Sequence, residues 1–206
     1  MKTEKILFQS IARGATILEV MISVLLLTFG VLALMAAQLR SVAGLSEAEN
    51  RSIVSQAAEA LAEGMQANSS LEKVGNSYGR TYTAYYGSPA GVITIGDDSK
   101  KAVAQNGLSG TKTKAEVAKQ HIDEFEYVLQ TQLTNVNTLG YVICRDKAKP
   151  EAATYDNGQF KDNCAPAKND TDTHVIKVVW RMGNGKNDSS NDNNTTAYSY
   201  MLEVGR

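Results

Sequence analysis

The stretch ATILEVMISVLLLTFGVLALMAA, residues 15–37, limits the folds open to this chain more than any other feature. A hydrocarbon core about 30 Å thick is crossed by about 20 apolar helical residues, and this run of 23 meets that length. Lys2, Lys5 and Arg13 precede it, with only Glu4 opposing them. Positive charge stays on the cytoplasmic side, so the N-terminus is expected inside and the remainder exported. Within the run sits one carboxylate, Glu19. At a bilayer centre such a charge costs about 2.5–3.5 kcal/mol on insertion scales, so it persists where a partner offsets it.

Two ordinary explanations fit poorly. A secretory signal has a short apolar core followed by a small-x-small cleavage site. This run is longer, and cleavage after Ala36 or Ala37 would put Leu34 or Met35 at the −3 position. A plain single-pass anchor matches the hydropathy but gives Glu19 no purpose.

The apolar run continues without proline into QLRSVAGLSEAENRSIVSQAAEALAEGMQAN. Ile53, Val54, Ala57, Ala58, Leu61, Ala62 and Met65 recur there at helical spacing. One helix is predicted from about Ala15 to about Ala67, roughly 80 Å long at 1.5 Å per residue. Its first half is apolar all round; its second half is amphipathic, suited to docking on a domain. Gly30 and Gly44 lie inside it, each costing about 1 kcal/mol against alanine. Gly30 is expected to mark either a point of local flexibility or a close helix crossing.

Residues 68–112 are weakly patterned. TYTAYYG reads as a short strand or an aromatic loop, and VITI near Val92–Ile95 as another strand. TKAEVAKQHIDEFEYVLQTQL then places Ala118, His121/Ile122, Phe125, Val128/Leu129 and Leu133 on one stripe of a second amphipathic helix. His121 is expected to be a satisfied boundary residue rather than a ligand. The C-terminal third reads as strands. GYVICR is a short apolar one. HVIKVVWRM puts Ile176, Val178, Trp180 and Met182 on one face, and Lys177 and Arg181 on the other. AYSYMLEV puts Tyr198, Tyr200, Leu202 and Val204 on one face, and the GNGKNDSSNDNNTT stretch between the two has turn and loop chemistry. An antiparallel pair is predicted, in an α+β fold: a long N-terminal helical spine packed on a small head with a second helix and an antiparallel sheet.

The rest of the composition bounds the chemistry. Length allows one domain plus a membrane segment, and a net charge of −1 gives no sign of a nucleic-acid surface. Cys144 and Cys164 are an even pair, and in an exported chain they are expected to form a disulfide. A closed loop near 20 residues would contribute roughly 3 kcal/mol on the chain-entropy model. Their spacing is not C-x-x-C and no histidine cluster accompanies them, against a redox or metal role. DTDTH (Asp170, Asp172, His174) and Asp97–Asp98 do not match a calcium loop and read as solvated acidic turns. Asn-x-Ser/Thr matches at Asn68, Asn169, Asn187 and Asn194 carry little weight in so Asn-rich a chain. With two distant histidines and no nucleophile elbow, P-loop or paired-His helix, no enzyme, cofactor or metal is expected.

A basic leader, then Gly14, then ATILEV with glutamate at the fifth position of an apolar helix, resembles the type IV prepilin signal, whose family pattern is close to G-FTLLEV. The resemblance implies cleavage between Gly14 and Ala15 by a membrane prepilin peptidase on the cytoplasmic side, and N-methylation of the new Ala15 amine. It leaves 192 residues, with the apolar helix retained. Ala15 departs from the phenylalanine usual in major pilins. The organisation implied is a leader over 1–14, a transmembrane and filament-core half-helix over 15–37, an amphipathic half-helix over 38–67 and a periplasmic head over 68–206. Glu19 then acts in assembly, setting axial register against the N-terminal amine of a neighbouring subunit.

Pilin heads commonly carry one such disulfide, which in major pilins usually encloses the final strands; here the pair precedes them, which argues for a minor rather than a major subunit. Together with IDEFEYVLQTQL, the CRD…C loop and the VIKVVW strand, the order resembles the PilV family of minor type IV pilins, called PilI in neisserial systems. That family implies a low-abundance subunit that primes pilus assembly with other minor pilins, at the tip. Its partners would be those minor pilins and the major pilin through the first helix, the prepilin peptidase, inner-membrane lipid and the assembly platform. Alternatives are a minor pseudopilin of a type II secretion system, and a tip adhesin or DNA-uptake subunit using Tyr82–Tyr86 or the Asn-rich loop. A plain anchored periplasmic domain, which keeps its leader, is the third.

Overall fold

The computed structural model describes residues 17–74, 77–87, 91–93, 110–156, 158–165, 172–182 and 196–205. Helix α1 runs over Ile17–Ala67, 51 residues without a break, as the absence of proline requires. The chain divides into two compact units, Met1–Leu45 and Ser46–Arg206, with the division inside α1.

The second unit is built on the C-terminal half of α1. A hairpin of β1 (Ser70–Val74) and β2 (Ser77–Thr81) follows, then a single 3-10 turn at Thr83–Tyr85. Helix α2 covers Lys114–Gln132. It starts at a capping box: Thr113 accepts from the Glu116 N–H, and the Glu116 carboxylate accepts from the Thr113 N–H at 2.8 Å. Such a cap is worth about 1 kcal/mol.

The main sheet has four antiparallel strands in the order β3 (Gly91–Ile93), β4 (Val136–Asp146), β7 (Thr173–Met182), β8 (Thr196–Val204). A small ribbon of β5 (Thr154–Asp156) and β6 (Gln159–Lys161) lies within the disulfide loop. The fold is α+β and pilin-like, as the sequence implies. Four differences are local. GYVICR is the centre of an 11-residue strand. TYTAYYG is neither strand nor open loop but the end of β2 and the 3-10 turn. VITI is described only as far as Ile93, in β3. The β1–β2 hairpin has no strong alternation, since Lys73, Gly79 and Arg80 interrupt it, and was not expected.

One face of the sheet meets the helices. Leu139, Tyr141 and Ile143 of β4 and Ile176, Val178 and Trp180 of β7 are buried with Val54, Ala58, Leu61 and Met65 of α1 and Ile122, Phe125 and Leu129 of α2. Tyr198, Tyr200 and Leu202 pack at the margin, on the face the alternation assigns them. Each large apolar side chain so buried contributes about 1.5–3 kcal/mol. Asn50 fixes α1 to the exit of α2: its amide donates to the Thr134 carbonyl at 2.9 Å and accepts from the Thr134 N–H at 3.0 Å. Ser55 and Tyr200 hydroxyls, 3.1 Å apart, tie α1 to β8.

Candidate functional site

Three groups of residues carry the functional expectations: the N-terminal half of α1, the disulfide loop, and the aromatic turn.

Gly14 and Ala15, the expected processing site, lie outside the described residues, as does the whole leader. Glu19 lies in the first described turn of α1. Around it the helix presents large apolar side chains on every side: Ile17, Leu18, Met21, Leu26, Leu27, Phe29 and Leu32 are each at least 61% exposed. The two hydroxyls in this stretch are satisfied internally, Ser23 donating to the Glu19 carbonyl at 2.7 Å and Thr28 to the Leu25 carbonyl at 2.8 Å. The segment is therefore polar at one position, Glu19, and is long and apolar enough to cross a membrane. A helix apolar all round requires cover, whether lipid or other helices. Gly30 and Gly44 have open space where a Cβ would stand.

Cys144, on β4, and Cys164 are joined, with their Cα atoms 6.4 Å apart. The loop between them lies over the second face of the sheet, where Val142, Val175 and Val179 are buried apart from the helix-side core. Phe160 of β6 sits over Gly140, where an added Cβ would come within 2.8 Å of its ring. Arg181 stacks over Tyr155 of β5 at 5.1 Å. The alternation read for HVIKVVWRM holds, with Ile176, Val178 and Trp180 in the helix-side core; Lys177, on the opposite face, is completely buried. Its ammonium donates to Asp146 Oδ2 at 2.6 Å and to the carbonyls of Asp162 and Asn163 at 3.1 and 2.7 Å. Burial pushes the Asp146 carboxyl up, but Lys177 and the N–H groups of Ala165 and Lys147 outweigh it and hold it below the usual value. Charge and geometry close on themselves, leaving no donor for a substrate. The warning in the sequence was the apolar run on both sides of Lys177, which marks a strand buried on both faces.

The aromatic turn corrects an expectation. Tyr82 and Tyr85 are 2% and 0% exposed, and Tyr86 is half-buried, so Tyr82–Tyr86 is not an exposed binding stretch. The hydroxyl of Tyr85 lies 2.8 Å from His121 Nδ1, and that of Tyr86 hydrogen-bonds His174 Nδ1. His121 is the boundary residue its position implies. In DTDTH, Asp172 is 2.6 Å from Arg145 Nε, occupied by an ion pair, while Asp170 lies outside the described residues. Among the described residues no three His, Cys, Asp or Glu side chains gather to hold a metal ion. Asn68, a sequon match, donates instead to the Lys114 carbonyl at 2.8 Å. Asp97–Asp98, the Asn-rich stretch, Asn169, Asn187 and Asn194 lie outside the described residues.

Among the described residues these features define an α+β, pilin-like fold with one helix long and apolar enough to span a membrane and a disulfide-closed head. No family model, no curated protein and no solved structure matches it.

Proposed function

We propose that this chain is a minor type IV pilin of the PilV class, which helps prime pilus assembly with other minor pilins, at the tip. The observation that carries the reading is the pairing of G-ATILEV with an uninterrupted helix, Ile17–Ala67, whose first half is apolar on all sides. Before assembly that half lies in the inner membrane with the head in the periplasm. In the filament it is covered by helices of the major and minor pilins. Peptidase cleavage after Gly14 gives Ala15 a methylated cationic amine four residues from Glu19, and a neighbour's amine offsets the carboxylate in the packed bundle. The assembly platform and prepilin peptidase are the transient partners, and no catalysis is assigned. Tyr82 and Tyr85 of the aromatic turn are packed inward and give no support to adhesion.

The test is mass spectrometry of the mature N-terminus from host cells, with and without the prepilin peptidase. A methylated Ala15 that disappears without the peptidase supports the reading. An intact leader, or cleavage beyond Ala36, sinks it. Deletion separates the classes further: loss of surface pili indicates a pilin, and loss of protein secretion with normal pili indicates a pseudopilin.

A further inference from the structure

The loop that ends at Cys164 is anchored in two places. Its ribbon is held by the Phe160 ring at Gly140 and by Tyr155 against the Arg181 guanidinium. After Lys161 the chain leaves the ribbon and turns at Asn163, whose φ of 50° lies in the left-handed region. The Asn163 amide ties that turn back to the Ala152 carbonyl at 2.8 Å, and the Cys164 N–H closes on Asp162 Oδ1 at 3.2 Å. Both of these bonds stay inside the loop. Among the described residues, every hydrogen bond from 162–165 to the sheet ends on Lys177 or Asp146. The Asp162 and Asn163 carbonyls accept from Lys177, and the Ala165 N–H donates to Asp146 Oδ1 at 3.1 Å.

These bonds bracket Cys164 on both sides. Asp146 also lies two residues from Cys144 on β4, so the two side chains share a face of the sheet. Val175 stands opposite Cys144, and Lys177 opposite Val142, on that same face. The ion pair therefore sits under the bond, with Cys144 placed by strand register and Cys164 by its neighbours. None of these contacts needs the S–S bond. Opening the loop would strip Lys177 of two acceptors and uncover Val142, Val175 and Val179, so the loop end has reason to stay down without it. In the dithiol, the Cys164 S–H would find the Asp162 carbonyl 3.7 Å away.

We propose that Lys177 and Asp146 are positioning residues for thiol–disulfide exchange: they seat residues 162–165 on β4 and β7 in the reduced head, so that the Cys144–Cys164 bond is made, and remade after reduction, on a head already folded. The co-reactant is a disulfide donor, and both cysteines are partly exposed to one. The thiolate of one cysteine attacks the donor's S–S bond, forming a mixed disulfide and releasing one donor thiolate. The other cysteine thiolate then attacks the cysteine sulfur of that mixed disulfide, forming Sγ–Sγ and releasing the second donor thiolate. The dithiol loses two electrons and two protons, and the donor takes them up as two thiols. The idea rests on the head alone and not on the pilin reading.

The test follows closure in the full chain in detergent micelles. The disulfide is reduced, the reductant removed, and oxidised glutathione added at pH 7.5. Alkylation and mass spectrometry then separate the closed bond from chains carrying glutathione on both cysteines. Closure is expected to dominate in native buffer and to lose to double modification in concentrated urea. Lys177→Met with Asp146→Asn removes both charges together. It is expected to lower the ratio of closed to doubly modified chains roughly tenfold, the effect of one hydrogen bond to a charged group. The same ratio in native buffer and in urea, or an unchanged ratio in the double variant, overturns the proposal. If the double variant fails to fold, the Ala165 amide of the reduced wild type decides by NMR hydrogen exchange: protection well above the unfolded chain is expected, and its loss refutes the clamp.

Discussion

The Lys177 ammonium lies 2.6 Å from Asp146 Oδ2, and neither side chain reaches solvent. The pair is not an isolated salt bridge. Asp146 also accepts from the N–H groups of Lys147 and Ala165, while Lys177 reaches two carbonyls of the disulfide loop. Buried ions are tolerated when every donor and acceptor is used, and removing one partner strands the other. Lys177→Met is therefore expected to destabilise the head by about 3–5 kcal/mol. Adding Asp146→Asn should recover most of that loss, because the neutral amide oxygen still accepts from the backbone. Urea midpoints of the two single variants and the double variant measure this directly, and additive losses would show that the charges are independent.

The disulfide closes a loop with a sequence separation of 20. On the chain-entropy model its loss costs about 3 kcal/mol. Cys144→Ser with Cys164→Ser is expected to lower the urea midpoint by the corresponding amount and to raise hydrogen exchange at Phe160 and Val179 before the helix-side core. A uniform rise across the head would show that the loop face is not a separate layer.

Gly140 stands where β4 meets both the Gly91 carbonyl and the Phe160 ring; a Cβ there would lie 3.2 Å from the first and 2.8 Å from the second. Overpacking of this kind costs about 1–3 kcal/mol. Gly140→Ala should lose that amount, and pairing it with Phe160→Leu should restore part of it. An unchanged midpoint for Gly140→Ala would mean that Phe160 moves aside freely.

Stability should fall in two steps on acidification. Burial holds both His121 and His174 below their ordinary value of 6.5, so the unfolded chain takes up protons first. Their contribution is complete above pH 6.5 and is lost as pH drops through the lower folded values. Asp146, held below 3.8 in the fold, adds stability above pH 3.8 that is lost on further acidification. Urea midpoints measured from pH 8 to pH 3 should show both declines. His121→Gln with His174→Gln should remove the first and keep the second; a first decline that persists would place its origin elsewhere.

Glu19→Gln keeps the size of the side chain and removes its charge. On the proposed pilin reading, filament incorporation, measured by immunogold labelling or by mass spectrometry of sheared pili, is expected to drop several-fold while the urea midpoint of the head is unchanged. Wild-type incorporation would remove the register role from Glu19.

Much of the fold was legible because long periodic segments advertise themselves. The stripe Val54–Ala58–Leu61–Met65 and the stripe Ala118–Ile122–Phe125–Leu129 fix which helix faces are buried. The alternation Tyr198–Tyr200–Leu202–Val204 fixes the register of β8 against β7. What the local pattern left unread was partnering between distant segments. Tyr82–Tyr86 reads as an exposed stretch, yet Tyr82 and Tyr85 are interior, with His121 and Gly64 as partners of Tyr85; Lys177 is interior too, with Asp162 and Asn163 as partners. Asn50 was equally silent, since its partner Thr134 lies 84 residues away. No local period records such pairings.

The Cys144–Cys164 bond has a mechanical meaning as well as a thermodynamic one. A chain pulled from its two ends lengthens by about 3.3–3.6 Å for every residue released. The bond removes the intervening segment from that extension, and the Cα atoms stay 6.4 Å apart. A head torn open by tension would therefore yield roughly 60 Å less slack than its length permits. Asp162, Asn163 and Ala165, which supply partners to Lys177 and Asp146, would stay tethered beside β4 even with β7 stripped away, ready to re-form the site when the load is released.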